Sequence, residues 1–342
     1  MKEYVDYILN KTYELLNIDS PTGYTLRAVN YLKDEFINMG YEPVITTKGG
    51  LFVDLGGNGN GLLIEAHLDT LGAIVSEILP NGHLKVSSLG GLNANNIECE
   101  NCRIYTHFDN IYEGVAQLGN PSIHVNKDYN DTLRKFDNIE IILDEVVKSK
   151  EDVLKLNINN GDIVCFDPRV KITDSGYIKS RFLDDKYSCG ILLGLAKYLK
   201  DHNITLNRHI SLHFTVYEEV GHGASASVPA DTNEILSVDM GCVGNGLVCD
   251  EQMVSICAKD SAGPYNYQMV DKLIHLAKDN DLNYAIDVYP YYSSDAQMAV
   301  RSGHDVKHAL IGPGVYASHG YERSHRDGAL NTLKLLIAYV KE

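Results

Sequence analysis

The sequence lacks the features that would place it in a membrane, outside the cell or on a nucleic acid. No apolar run approaches the roughly 20 residues of a transmembrane helix. Glu3 and Asp6 fall where a secretory signal would carry basic and then apolar residues. Basic residues are few, since 30 Lys and Arg face 46 Asp and Glu and leave a formal charge of −16. This charge opposes contact with nucleic acids or anionic membranes, so we expect a cytoplasmic protein with neither as partner.

The chain also lacks a disulfide framework and a nucleotide-binding loop. Its seven cysteines are odd in number and scattered, which is typical of reduced thiols. Cys99 and Cys102 form a lone CxxC without the second pair that a zinc site of this type needs. The glycine run at residues 56–61 leads into an apolar strand, whereas a dinucleotide fingerprint opens a helix. We interpret this run as a hairpin turn between two strands.

The hydrophobic pattern along the chain predicts an α/β protein with an insertion. Residues 3–17 and 24–39 have apolar positions at helical spacing, and strands and helices alternate again after residue 174. Residues 71–173 instead form short alternating segments separated by turns. We predict a discontinuous catalytic domain, residues 1–70 and 174–342, with a mixed β-sheet covered by helices on both faces. A β-rich, barrel-like domain of residues 71–173 is inserted into it.

An apolar strand running into His67-Leu-Asp69 is the first candidate for chemistry. An imidazole at a strand end can bind a metal, and the Asp69 carboxylate can accept the other ring N–H and so orient His67. The same pattern also occurs in hydrogen-bonded surface pairs. Ligands of α/β sheets gather at the carboxyl ends of the strands. The residues at the other strand ends therefore decide whether His67 belongs to a metal site or to a surface pair.

Acidic residues and a histidine also lie at the ends of other predicted strands and at the start of a predicted helix. The strand at 209–216 leads to Glu218 and Glu219, and the strand at 235–238 leads to Asp239. Asp184 and Asp185 open a helix, where helix capping is the alternative role. The last predicted strand, residues 306–311, ends at Gly312-Pro313-Gly314. The candidate metal ligands at this edge are His67, Asp184, Glu218, Glu219, Asp239 and His319.

This set of side chains is the minimum for two divalent ions. One histidine and one carboxylate for each ion, with one carboxylate shared, can hold two ions about 3.5–4 Å apart. Mixed nitrogen and oxygen ligands favour zinc, with cobalt and manganese as the other candidates. Of the two adjacent glutamates, one can bind metal while the other acts as a general base on water.

These motifs together resemble the tetrahedral (TET) aminopeptidase family, the glutamyl aminopeptidase-like co-catalytic di-metal metallopeptidases. The resemblance extends over nearly the whole chain and includes the insertion. It implies removal of N-terminal residues from short peptides, and a homo-oligomer built from dimers through the insertion, which in the family is a tetrahedral dodecamer. The site roles it implies are His67 and Asp239 on one ion, Glu219 and His319 on the other, Asp184 bridging, Asp69 orienting His67 and Glu218 as general base.

The sequence departs from the family pattern at three places. Lys186 stands where arginine is common, and a Gly-His-Gly-Ala segment at residues 221–224 follows the glutamate pair. The third departure is His319-Gly-Tyr-Glu322-Arg-Ser-His325, which makes His325 an alternative last ligand. We expect His325 near the start of the last helix, where it would cap the helix or support the site. Residues 261–265 and 289–295 are candidate pocket loops.

Three other functions fit parts of the sequence. A deacylase or a dipeptidase could use the same two metals. A glucanase would use two carboxyl groups about 5–9.5 Å apart and no metal. A catalytically silent binding or scaffold protein would not need Glu218 beside a full ligand set, and this argues against it.

Overall fold

The computed structural model describes residues 1–342, which form two compact units. The first unit comprises Met1–Asp69 and Arg169–Glu342, and the second comprises Thr70–Pro168. None of the helices combines the length and the apolar character that crossing a bilayer requires.

Seven helices are present, and most of them bury one apolar face. In α1, for example, Val5, Ile8 and Leu15 are buried while Asp6 and Asn10 are exposed. The helices are α1 (Lys2–Leu16), α2 (Leu26–Asn38), α3 (Lys150–Lys155), α4 (Leu183–Asp201), α5 (Tyr267–Asp279), α6 (Asp295–Arg301) and α7 (Arg326–Val340).

Nineteen strands form one large sheet and one barrel. The large sheet has thirteen strands with a main path β1-β2-β12-β3-β13-β18-β19-β11-β10. Off this path, β14 and β15 pair with β18, and β16 and β17 pair with β15. The strands are β1 (Val44–Ile45), β2 (Leu51–Gly56), β3 (Gly61–His67), β4 (Gly72–Ile78), β5 (Leu84–Leu89), β6 (Asn101–Tyr105), β7 (Ile111–Leu118), β8 (Ile139–Leu143), β9 (Ile163–Phe166), β10 (Lys171–Ile172), β11 (Tyr177–Ser180), β12 (Ile210–Thr215), β13 (Thr232–Val238), β14 (Gly241–Val243), β15 (Val254–Asp260), β16 (Gly263–Pro264), β17 (Tyr284–Val288), β18 (Lys307–Tyr316) and β19 (Glu322–His325).

The centre of the large sheet is parallel. β3 pairs in parallel with β12 and β13, and β13 pairs in parallel with β18. Every residue of β3 is buried, and α4 packs on β3 while α7 packs on β18. The carboxyl ends of β3, β12 and β13 therefore lie at one edge of the sheet, where ligands of α/β proteins bind. The predicted α/β class with a mixed sheet is confirmed.

The second unit contains a closed antiparallel barrel of six strands in the order β4-β5-β8-β7-β6-β9. Pairing of β4 with β9 closes it. In β8 the residues Ile139, Ile141 and Leu143 alternate toward the interior and are buried. The predicted barrel-like insertion in the fold is confirmed.

The hairpin predicted at residues 56–61 is wrong. β12 pairs with both β2 and β3 and therefore lies between them. Glycine-rich turns permit a tight reversal but do not decide which strands become neighbours. The fully buried β12, which comes about 150 residues later in the chain, occupies the position that a hairpin partner would take.

The predicted strand end at Gly312-Pro313-Gly314 is also wrong, because β18 continues to Tyr316. A Cβ at Gly312 would lie 1.3 Å from the backbone oxygen of Asp239. Gly312 is therefore required by a close approach of two backbones, and it does not form a turn. This approach places Asp239 firmly against β18, with its N–H donating to the carbonyl of Ile311 at 3.0 Å.

Candidate metal centre

His67, the last residue of β3, lies among carboxylates contributed by three other segments. Its Nε2 is 3.0 Å from Asp184 Oδ1, 3.8 Å from Glu218 Oε2 and 3.9 Å from Asp239 Oδ2. Both His67 and Asp239 are almost completely buried. The carboxyl ends of β3 and β13 thus bring together two residues that are 172 positions apart.

His319 forms a second cluster that shares one member with the first. Its Nε2 lies 3.4 Å from Asp184 Oδ2 and 3.4 Å from Glu219 Oε2. The possible ligand atoms of His67, Asp184 and Asp239 all lie within 4.8 Å of one another, and so do those of Asp184, Glu219 and His319. Asp184 faces both clusters with different oxygens.

The start of α4 is irregular, and this irregularity presents two aspartates. Asp184 and Asp185 have non-helical backbone angles, and the peptide bond between them is cis. Asp185 does not cap α4. Its Oδ2 accepts a hydrogen bond from the backbone N–H of His67 at 3.2 Å, which ties the end of β3 to the start of α4.

The Asp69 carboxylate contacts the glutamate pair instead of the imidazole. It accepts the backbone N–H groups of Glu218 at 3.1 Å and Glu219 at 3.4 Å, and the hydroxyl of Thr22 at 2.6 Å. His67 Nδ1 donates to the main-chain carbonyl of Asp69 at 2.9 Å, whereas the nearest carboxylate oxygen is 3.7 Å away. The expected hydrogen bond between the Asp69 carboxylate and the His67 ring is therefore absent, because three other donors occupy this carboxylate. The main-chain carbonyl of Asp69 accepts from the ring in its place. His67 is still oriented, with its Nε2 toward Asp184.

The glutamate pair lies in a tight turn after β12. Tyr217 and Gly221 on either side have left-handed backbone angles, with φ of 76° and 82°. The loop that follows is fixed by Lys48, which donates to the carbonyl of Gly223 at 2.8 Å, and by Asp295, which accepts the N–H of Ala224 at 2.8 Å. The departure from the family pattern at residues 221–224 therefore forms an anchored loop. Lys186, which stands where arginine is common in the family, donates to the carbonyl of Ile18.

Glu322 was missed as a member of the site. Its Oε2 accepts the N–H of Asp184 at 3.1 Å, and its Oε1 accepts the N–H of His319 at 2.9 Å. One buried carboxylate thus holds the segments that carry two of the candidate ligands. The only signal in the sequence was the position of a glutamate three residues after His319.

His325 lies outside both clusters and caps α7. Its Nδ1 accepts the N–H of Asp327 at 3.1 Å, and its Nε2 donates to the carbonyl of Ser175 at 2.9 Å. Both ring nitrogens are therefore engaged by protein groups.

The electrostatics of the site call for added positive charge. Burial raises the pKa of Glu218 and Glu219 well above the ordinary value, and it raises the pKa of Asp239 to about 7. Burial opposes protonation of His67, but the hydrogen bond to Asp184 and the surrounding carboxylates raise its pKa. Glu219 Oε1 is buried and has no hydrogen-bond partner. Four carboxylates with two imidazoles fit a site for divalent cations. The cations would neutralise the carboxylates, and the unpartnered Glu219 Oε1 could serve as a ligand.

Comparison with known proteins decides the family. The family model described as M42 glutamyl aminopeptidase matches residues 49–335. The chain belongs to this family. A 45% identical relative, YhfE of Bacillus subtilis (strain 168), aligns over 96% of this chain and 95% of its own length. The glutamyl aminopeptidase of Lactococcus lactis subsp. cremoris (strain MG1363) is 26% identical over 64% of this chain and 62% of its own.

The fold agrees with solved structures of TET aminopeptidases. The TET1 peptidase of Pyrococcus horikoshii superposes with a TM-score of 0.87, covering 98% of this chain and 99% of that chain at 23% identity. That protein is described as assembling into a tetrahedron or a large octahedral shell. The predicted TET aminopeptidase resemblance is confirmed.

As an M42 glutamyl aminopeptidase family member, the chain is a metal-dependent aminopeptidase and therefore a hydrolase. The predicted activity is confirmed at this level. The family model and the aminopeptidase relatives favour a peptidase over the glucanase and scaffold alternatives.

Proposed function

We propose that the protein removes N-terminal residues from short peptides with two divalent ions bound side by side. The observation that carries this proposal is the pair of ligand clusters that share Asp184. His67 and Asp239 would hold the first ion, Glu219 and His319 the second, and Asp184 both. The mixed nitrogen and oxygen ligands suit zinc first, then cobalt or manganese.

If bound at these residues, the ions would polarise the scissile carbonyl as Lewis acids and lower the pKa of water. Glu218 is the general base of this proposal. It takes a proton from water as the C–O bond forms and passes the proton to the leaving amine as the C–N bond breaks. Its Oε2 lies at the edge of the first cluster, 3.8 Å from His67 Nε2. Burial raises the pKa of this carboxyl, which moves it toward the range in which it can both accept and return a proton near neutral pH.

Asp69 supports this base through the backbone. By accepting the N–H groups of both glutamates, its carboxylate fixes the turn that points Glu218 and Glu219 in different directions. Its carbonyl fixes the His67 ring at the same time. We assign Asp69 as the residue that orients base and ligand together.

The proposal extends to domains and assembly. Residues 1–70 and 174–342 carry the chemistry, and the inserted barrel of residues 71–173 carries subunit contacts. The assembly would be a homo-oligomer built from dimers, with a tetrahedral dodecamer as its closed form, and it would act in the cytoplasm. The TET1 peptidase, which shares the fold and is described as forming closed shells, supports this part of the proposal.

A reporter panel tests the proposed activity. The chelator-stripped protein is assayed with aminoacyl p-nitroanilides after addition of zinc, cobalt or manganese. We expect hydrolysis of unblocked substrates only, restored by at least one metal, and no hydrolysis of a soluble β-glucan. Faster cleavage of N-acetylated amino acids would identify a deacylase, and cleavage restricted to dipeptides would identify a dipeptidase. Activity that survives complete metal removal would contradict the proposal.

A further inference from the structure

The hydroxyl of Tyr292 is buried beside the Asp239 carboxylate of the metal centre, and it makes no hydrogen bond of ordinary geometry. It lies near the carboxylates of Asp239 and Glu218, a candidate metal ligand and the proposed base. A tyrosine hydroxyl is ordinarily protonated at neutral pH, so Tyr292 can donate a hydrogen bond. A buried donor without a partner is unusual in folded proteins and calls for a ligand or a functional explanation.

The position of Tyr292 is fixed by its surroundings. Its carbonyl accepts hydrogen bonds from the N–H of Ser261 at 2.9 Å and from the Ser261 hydroxyl at 2.7 Å. The ring packs edge-on against Tyr289 at a centroid distance of 5.4 Å. Tyr289 is itself fully buried and hydrogen-bonded to Ser255. The donor is thus positioned before any substrate arrives.

A second set of contacts anchors the loop beyond Tyr292. The hydroxyls of Ser294 and Tyr265 lie 2.6 Å apart, and Tyr265 also donates to Asp260 at 2.7 Å. Asp260 further accepts the N–H of Ala262 at 2.8 Å. The two predicted pocket loops are therefore hydrogen-bonded to each other. The Tyr292 hydroxyl lacks a hydrogen bond although the segments around it are well anchored.

We propose that Tyr292 is a further catalytic residue, whose hydroxyl donates a hydrogen bond to the substrate carbonyl oxygen as that oxygen gains negative charge. This inference rests on the proposed function. As water oxygen bonds to the carbonyl carbon, the C=O electron pair moves onto the carbonyl oxygen, and Glu218 holds the proton from water. The pair returns as the C–N bond breaks, and the proton passes to the amine. Tyr292 keeps its own proton throughout.

Preorganised donors of this kind act mainly on the transition state. Removal of one oxyanion donor in a hydrolase typically lowers kcat by about 10²–10³-fold, with little effect on substrate binding. A tyrosine that only packed against Tyr289 would be replaceable by phenylalanine without this loss. The two roles therefore predict different results for the removal of one oxygen atom.

The test compares Tyr292→Phe with Tyr291→Phe, since Tyr291 is 96% exposed and adjacent in sequence. Both variants are loaded with zinc and assayed on the best p-nitroanilide of the panel. We expect Tyr292→Phe to lose about 10²–10³-fold in kcat at nearly unchanged KM and metal content, and Tyr291→Phe to match the wild type. Calorimetry provides a second readout. Tyr292→Phe should weaken binding of the α-aminophosphonic acid that matches the substrate residue, but not binding of the free amino acid.

The outcomes separate this inference from the proposed function. Equal kcat in the two variants, loss of metal from Tyr292→Phe, or equal weakening of both calorimetric ligands would each overturn the role of Tyr292. In those cases the wild type would still hydrolyse the reporters. A wild type inactive with every metal would instead reject the proposed function itself.

Discussion

Glu218 and Glu219 are neighbours in sequence but face different groups. Glu219 Oε2 lies 3.4 Å from His319, whereas Glu218 Oε2 lies near His67 at the edge of the first cluster. A regular strand would send these side chains to opposite faces, and the turn after β12 instead lets both enter the site. Their different neighbours support separate roles as ligand and base.

Substitution of each glutamate by glutamine tests this division. Glu218→Gln should retain two ions per chain and lose about 10²–10⁴-fold in kcat, because it removes proton transfer. Glu219→Gln should lose one ion. Elemental analysis together with kcat measures both effects. Equal metal loss in the two variants would show that the roles are wrongly divided.

The two C-terminal histidines provide a matched pair for the second ion. His319→Ala should bind one ion per chain even in excess zinc, because it removes a ligand. His325→Ala should fill both sites at high zinc, with a loss of at most about 10–100-fold in affinity, because His325 caps α7 and contacts Ser175. The reverse stoichiometries would move the ligand to His325.

The hydrogen bond from Thr22 to Asp69 can be tested by measuring the stability of the fold. Its hydroxyl donates to the buried Asp69 carboxylate, so Thr22→Val should destabilise the fold by about 1.5–3 kcal/mol, as expected for a hydrogen bond to a charged group. Thr12→Val is the control, since the Thr12 hydroxyl is buried without a partner. Chemical denaturation of the metal-free proteins measures both. A Thr22→Val variant as stable as Thr12→Val would contradict the assigned contact.

At the scale of elements, the sequence was informative where strands end in polar residues. The apolar strands before His67 and Asp239 predicted the sheet edge at which the site lies, since period and burial are local properties. The position of β12 between β2 and β3 was not predictable, because the local sequence of a strand does not specify which distant strand pairs with it. Glu322 was missed for a related reason. Its role consists of two hydrogen bonds to backbone groups that only the folded chain brings together.

The barrel unit offers a test of assembly. Val125 and Leu133, in the segment between β7 and β8, are 75% and 64% exposed, so both are accessible to a contact with another subunit. The double substitution Val125→Asp and Leu133→Asp should lower the number of subunits measured by light scattering. Val248→Asp is the control, because Val248 is 65% exposed and lies in the other unit. A double variant that keeps the native subunit number while the control loses it would place the contacts outside the barrel.

For the whole molecule, the buried acids make stability depend on pH and metal together. Burial and nearby charge raise the pKa of Asp239 to about 7 and that of Glu322 to about 8. The folded metal-free protein therefore binds protons more tightly than the unfolded chain, and it loses stability as pH rises from about 4.5 toward 8. Bound divalent ions should suppress this loss by neutralising the carboxylates. Thermal unfolding from pH 5 to 8, with and without zinc, measures the effect, and equal slopes would contradict it.

The central claim is that two ions share Asp184 between two ligand clusters. Diffraction data collected on zinc-loaded crystals at the zinc absorption edge test it directly. We predict two anomalous peaks per chain, about 3.5–4 Å apart, one contacted by His67 and Asp239 and the other by Glu219 and His319, with Asp184 touching both. A single peak, or a peak bound by His325, would contradict the account.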